Sequence, residues 1–70
     1  MIILLFKTNL ACSHDVDRVT QDLNQLTGKN NWSVDIGDED KVLRILVNTD
    51  VTNEIFHLLN KNGYTCEPLK

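Results

Sequence analysis

Two apolar stripes with helical spacing, each set between short β-forming runs, constrain this chain most. Val16, Val19, Leu23 and Leu26 recur three and four apart, which puts them on one helix face. Val51, Ile55, Leu58 and Leu59 repeat the pattern further on. Four β-forming segments flank them. Ile2 to Asn9 is rich in β-branched and aromatic residues. Trp32, Val34 and Ile36 alternate with Asn31, Ser33 and Asp35. Lys41 to Asn48 carries Val42, Leu43, Ile45, Leu46 and Val47, and Tyr64 to Leu69 closes the series. These read as strands, so the order is strand, helix, strand, strand, helix, strand.

The punctuation agrees with that order. Ser13 is the expected N-cap of the first helix, with Asp15 and Asp17 in its first turn, where the helix dipole favours acids. Gly28 is a good C-terminal stop. Gly37 to Asp40 has turn chemistry and joins the second and third strands as a hairpin. Asp50 or Thr52 can cap the second helix, and Asn62-Gly63 ends it. Pro68 cannot donate to a sheet ladder, which suits an edge position. Two strand–helix–strand-like halves joined through a hairpin, with right-handed crossovers, favour a four-stranded antiparallel sheet with both helices on one face. The expected fold is therefore α+β, a ferredoxin-like βαββαβ sandwich. Its first and third strands are central and its second and fourth are edges. Seventy residues make a single domain, residues 1–70. A chain of this length buries only about 60% of its unfolded surface, so each large apolar residue counts.

Alternation divides the central strands into two exchangeable sets, and the assignment taken puts Leu4, Phe6 and Leu10 on the helix side, with Leu43, Ile45 and Val47. The opposite face receives Ile3, Leu5, Val42 and Leu46, with Lys7 and Arg44. That is more apolar than a solvated face requires. It is a candidate interaction face, although aliphatic residues also favour central strands on propensity alone. Trp32 can join either the face or the core.

Composition narrows the function classes. A net charge of −3 argues against nucleic acid, which wants a basic partner surface. Asp35, Asp38, Glu39 and Asp40 read as a solvated hairpin tip, since they lack the ligand spacing of a calcium loop. The apolar start, Met1 to Phe6, is too short to span a bilayer and lacks the features of a signal peptide. The expectation is a cytoplasmic protein without membrane contact, whose two cysteines are thiols. No nucleophile–histidine–carboxylate set is apparent, and His14 and His57 fall on different elements, so the chain reads as non-enzymatic.

One segment could carry chemistry: Leu10-Ala11-Cys12-Ser13-His14-Asp15-Val16, between the first strand and first helix. A helix N-terminus stabilises negative charge, which makes Cys12 a candidate reactive thiol. Here the chain resembles the heavy-metal-associated, copper-chaperone-like family. That family has an apolar residue, any residue, Cys, two residues, then Cys, opening its first helix. Leu10 matches the apolar anchor, Cys12 the first cysteine, and Val16 the apolar residue that follows. Val19, Leu23 and Leu26 match the helix face, and Gly63-Tyr64 matches the family's Gly-Tyr before the last strand. The resemblance covers essentially the whole chain. It implies a metal-binding or metallochaperone-like role with Cys12 as principal ligand, a transition metal (copper or zinc) as cofactor, and a metal transporter or another protein as partner. Leu10 and Tyr64 would support the loop.

The departure is Asp15, which stands where the family has its second cysteine. Copper(I) wants two soft thiolates, and a thiolate with a carboxylate is a poor substitute. Three outcomes follow. The site is lost and only the fold is kept; or Cys12, His14 and Asp15 form a mixed set for a borderline divalent ion such as zinc; or Cys12 shares a metal with a second chain or a partner. Asp15 is equally explained as a first-turn helix acid and His14 as an exposed loop residue, which puts the lost site first. The alternative function is a metal-free interaction module using the open sheet face, with a homodimer among its forms. Cys66 should lie opposite residues 6 to 8, well over ~7 Å from Cys12 at ~3.3 Å per residue, too far for a disulfide. It should be a small, inert strand residue.

Overall fold

A computed structural model describes residues 1–69. It contains β1 (Ile2–Thr8), α1 (Ser13–Thr27), β2 (Trp32–Asp35), β3 (Val42–Val47), α2 (Thr52–Lys61) and β4 (Cys66–Pro68). The strands form one antiparallel sheet in the order β2-β3-β1-β4. This is a small α+β domain consistent with a ferredoxin-like fold, with the expected central and edge strands.

Register explains the core. Phe6 pairs with Leu43 and Leu4 with Ile45, so their side chains share the face that the helices cover. Phe6, Leu43 and Ile45 are buried together with Val19 and Leu23 of α1 and Ile55, Leu58 and Leu59 of α2. Phe6 also meets Phe56 edge-to-face, with ring centroids 6.0 Å apart. Each such side chain gains about 1.5–3 kcal/mol on burial. That outweighs the exposed ion pairs Lys7–Asp40 (3.7 Å) and Lys61–Asp22 (3.6 Å), which contribute about 0–1 kcal/mol each. Trp32 joins the core rather than the open face. It packs against the cluster, and its indole N–H donates to Asn24 Oδ1 at 2.8 Å, satisfying the polar end of the ring.

Gly28 ends α1 at φ +107, a conformation that L side chains rarely adopt, and its N–H donates to Asn24 O at 2.9 Å. A Cβ at this position would also lie 2.7 Å from Asn31 Nδ2.

Three local expectations are corrected. The α1 N-cap is Cys12, not Ser13; no side chain caps it there, and only Asp15 is acidic in the first turn, Asp17 falling beyond it. At α2 the N-cap is Val51, although Asp50 Oδ1 does accept the Thr52 N–H at 2.9 Å. β4 is three residues rather than six. The Tyr64 N–H is drawn to Leu59 O at 2.9 Å and the Thr65 N–H to Asn9 Oδ1 at 2.8 Å, so neither enters the ladder.

Candidate functional site

The segment between β1 and α1 is held from three directions. Leu10 is fully buried and anchors it to the core. Thr8, the one buried polar residue described, donates its hydroxyl to Lys41 O at 2.6 Å and accepts the Leu10 N–H at 3.3 Å, tying the end of β1 to the β2–β3 hairpin. Asn9 reaches across to Thr65. Cys12 follows in extended conformation (φ −151, ψ 172), and its carbonyl accepts the Val16 N–H at 3.2 Å, starting the helix.

Asp15 completes the loop. Its Oδ2 accepts the Ala11 N–H at 3.0 Å, reaching back over the helix start as a capping residue does. Its Oδ1 accepts the Tyr64 hydroxyl at 2.8 Å, a bond between residues 49 positions apart. Tyr64, rather than Cys66, is therefore the β4-side residue at the loop, as the antiparallel register required. These bonds hold the Asp15 carboxyl below its usual range, the Tyr64 hydroxyl first and then the Ala11 amide; burial opposes them, and Cys12 adds the smallest contributions. The Tyr64 hydroxyl is pushed up by burial and by the Asp15 carboxylate, while Arg18 opposes this.

The sequence-derived ligands stand as follows. Cys12 and His14 are exposed, Cys12 is a free thiol, and Asp15 is half-buried with both oxygens hydrogen-bonded. Among the described residues, no three His, Cys, Asp or Glu side chains gather where they could hold a metal ion. A carboxylate keeps lone pairs beyond the two in use, but the bonds to Ala11 and Tyr64 fix its orientation. Leu10 is buried beneath the loop and Tyr64 bonds Asp15 within it. Cys66 sits opposite Thr8, half-buried, and its thiol is pushed up to about 12, by burial first and the neighbouring Glu67 charge second. Asn9 and Arg18 were not singled out from the sequence; isolated polar residues near a loop carry no periodic signal that would mark them.

The second candidate region is the sheet face that the helices leave bare. Ile3 pairs with Leu46, Leu5 and Ser33 both oppose Arg44, Asp35 opposes Val42 and Lys7 opposes Glu67. The face is thus apolar toward Met1 and charged toward the hairpin. Ile3 keeps 51% and Leu5 41% of its surface exposed, although β1 is a central strand, and Val42 and Leu46 are half-buried. His57 lies away from both regions, beside a shallow groove between the helices with Asp22, Leu26 and Glu54.

Compared with protein-family models, curated proteins and solved structures, the chain matches none. Among the described residues no helix is long and apolar enough to cross a membrane.

Proposed function

We propose that this domain is a protein-interaction module that binds a partner through its bare sheet face. The observation that carries the reading is the exposure of Ile3 and Leu5 on the central strand β1, with Leu46 opposite Ile3. Ile3 and Leu5 keep about half of their surface to cover, so each would gain half of the about 1.5–3 kcal/mol of a full burial; a partner must add contacts of its own to offset the cost of association. Arg44, set within the face opposite Leu5, and Lys7, Asp35 and Glu67 around it would fix the orientation of the partner. The test places a photo-crosslinking residue at position 5 of the full chain in its own cells. One discrete adduct is expected, and it should disappear with Ile3→Glu; the absence of any adduct overturns the reading. The mass of the adduct, beside the solution mass over a concentration series, tells a homodimer from a foreign partner.

A second reading has its own support in the exposed, free Cys12 thiol at the start of α1. Under it the chain is a heavy-metal-associated-type domain that binds copper or zinc with Cys12 as the principal ligand and His14 and Asp15 as helpers, in a metallochaperone-like role toward a metal transporter or another protein. The reduced protein is titrated with copper(I), zinc and nickel against a competing chelator, beside Cys12→Ser. Binding no tighter than that of the variant removes this reading and leaves the first intact.

A further inference from the structure

Helix α2 ends on a pair whose chemistry and geometry pull in opposite directions. Gly63 lies at φ +89, and a Cβ built there meets nothing within 4 Å. Backbone conformation rather than space therefore asks for glycine. The same glycine leaves its own backbone nitrogen without a shielding side chain, directly after an asparagine.

We propose that Asn62 is a fold-gated modification site, which deamidates to aspartate and isoaspartate when the chain unfolds and is protected while it is folded. The Gly63 backbone nitrogen attacks Cγ of Asn62. The new N–Cγ bond closes a five-membered succinimide, and the Cγ–Nδ2 bond breaks. Ammonia leaves, carrying the proton from the Gly63 nitrogen. Water then opens the ring at either carbonyl, giving an aspartyl or an isoaspartyl residue. No electrons are transferred, and water is the only co-reactant.

The native fold restrains both reacting groups. Asn62 Nδ2 donates to Leu58 O at 2.8 Å and to Asp22 Oδ2 at 3.2 Å, which holds the side chain over the preceding turn. The Gly63 N–H donates to Asn60 O at 3.0 Å, so the nucleophile keeps its proton in a hydrogen bond. Asn62 itself stays near helical geometry at φ −92, ψ 2. Unfolding releases all of these at once.

The product does not fit the native site. A carboxylate at position 62 cannot donate to Leu58 O, and it faces Asp22, whose Oδ2 is already 3.6 Å from Lys61 Nζ. One ammonium would then serve two carboxylates. The isoaspartyl form also adds a carbon to the backbone just before Tyr64, whose N–H bonds Leu59 O and whose hydroxyl bonds Asp15. Damage at the α2 end therefore reaches the Cys12 loop.

The full chain is incubated in neutral buffer with and without urea, and residue 62 is followed by peptide mass and isoaspartate assay. The unfolded chain should deamidate at least about tenfold faster, because closure requires opening of this region. In urea Gly63→Ala should slow the reaction. Asn62→Asp should lower the urea midpoint, and adding Asp22→Asn should recover part of the loss. Equal rates folded and unfolded, an unslowed Gly63→Ala chain in urea, or a wild-type midpoint for Asn62→Asp would each overturn the proposal.

Discussion

The two faces of the sheet are built from alternate residues of the same strands, yet they meet different fates. In β1, Phe6 is 1% exposed and its neighbour Leu5 41%. In β3, Leu43 and Ile45 are buried while Arg44 between them is exposed. One face is closed by two helices and the other is bare. Apolar character alone does not locate a core; the side on which the helix stripes land decides it. Leu5 is as apolar as Leu43, but it stands on the face that nothing in this chain covers.

The contrast is sharpest in paired truncations. Phe6→Ala should cost about 3–5 kcal/mol in urea denaturation, a large part of the stability of a chain this size. Leu5→Ala, at a side chain 41% exposed, should cost no more than about 1 kcal/mol. A comparable cost for Leu5→Ala in the isolated chain would break the distinction between the faces. Next in size, Trp32→Phe keeps most of the ring on the inner side but strands the Asn24 acceptor, and should cost about 1 kcal/mol. The thiols extend the comparison. Cys66 is half-buried and pushed up to about 12, whereas Cys12 is exposed at the rim. At neutral pH an alkylating reagent followed by peptide mass should label Cys12 well before Cys66. Equal rates would mean that β4 opens readily. The smallest effect is at Asp15. Its carboxyl lies below the ordinary 3.8 in the folded state, so its contribution to stability is present above that value and is lost as pH falls through the folded one. Asp15→Asn should therefore flatten part of the acid side of a stability–pH profile and leave its neutral-to-basic side unchanged in shape.

Much of this architecture was legible in the residues, for identifiable reasons. Alternation separates two sets on the central strands, one of them with Lys7 and Arg44, but the two were exchangeable until the pairing of Leu5 with Arg44 placed that set outward. Gly28 and Asn62-Gly63 mark helix ends because left-handed backbone is costly for other residues. Tyr64 was expected at the loop from antiparallel register, and it bonds Asp15. The remainder was hidden where local chemistry competes with pattern. Ser13 is a better cap by type than Cys12, but the chain turns one residue earlier and Asp15 reaches back in its place. Tyr64 and Thr65 look like strand residues, yet their amides are taken by Leu59 and by the Asn9 side chain. At the site, sequence could place Cys12, His14 and Asp15 together along the chain. It could not show that the Asp15 oxygens turn toward Ala11 and Tyr64.

The short edges of the sheet have a consequence for assembly. β2 is four residues long and ends on Asp35, and β4 is three residues and ends on Pro68, which contributes no N–H. Brief edges that carry a charge or a proline are poor templates for adding a further strand. Growth of the sheet sideways, the route to fibrils and strand exchange, is thereby blunted at both margins, while Ile3 and Leu5 stay exposed on its open face. A chain with this layout can leave Ile3 and Leu5 uncovered on its open face because its borders do not propagate.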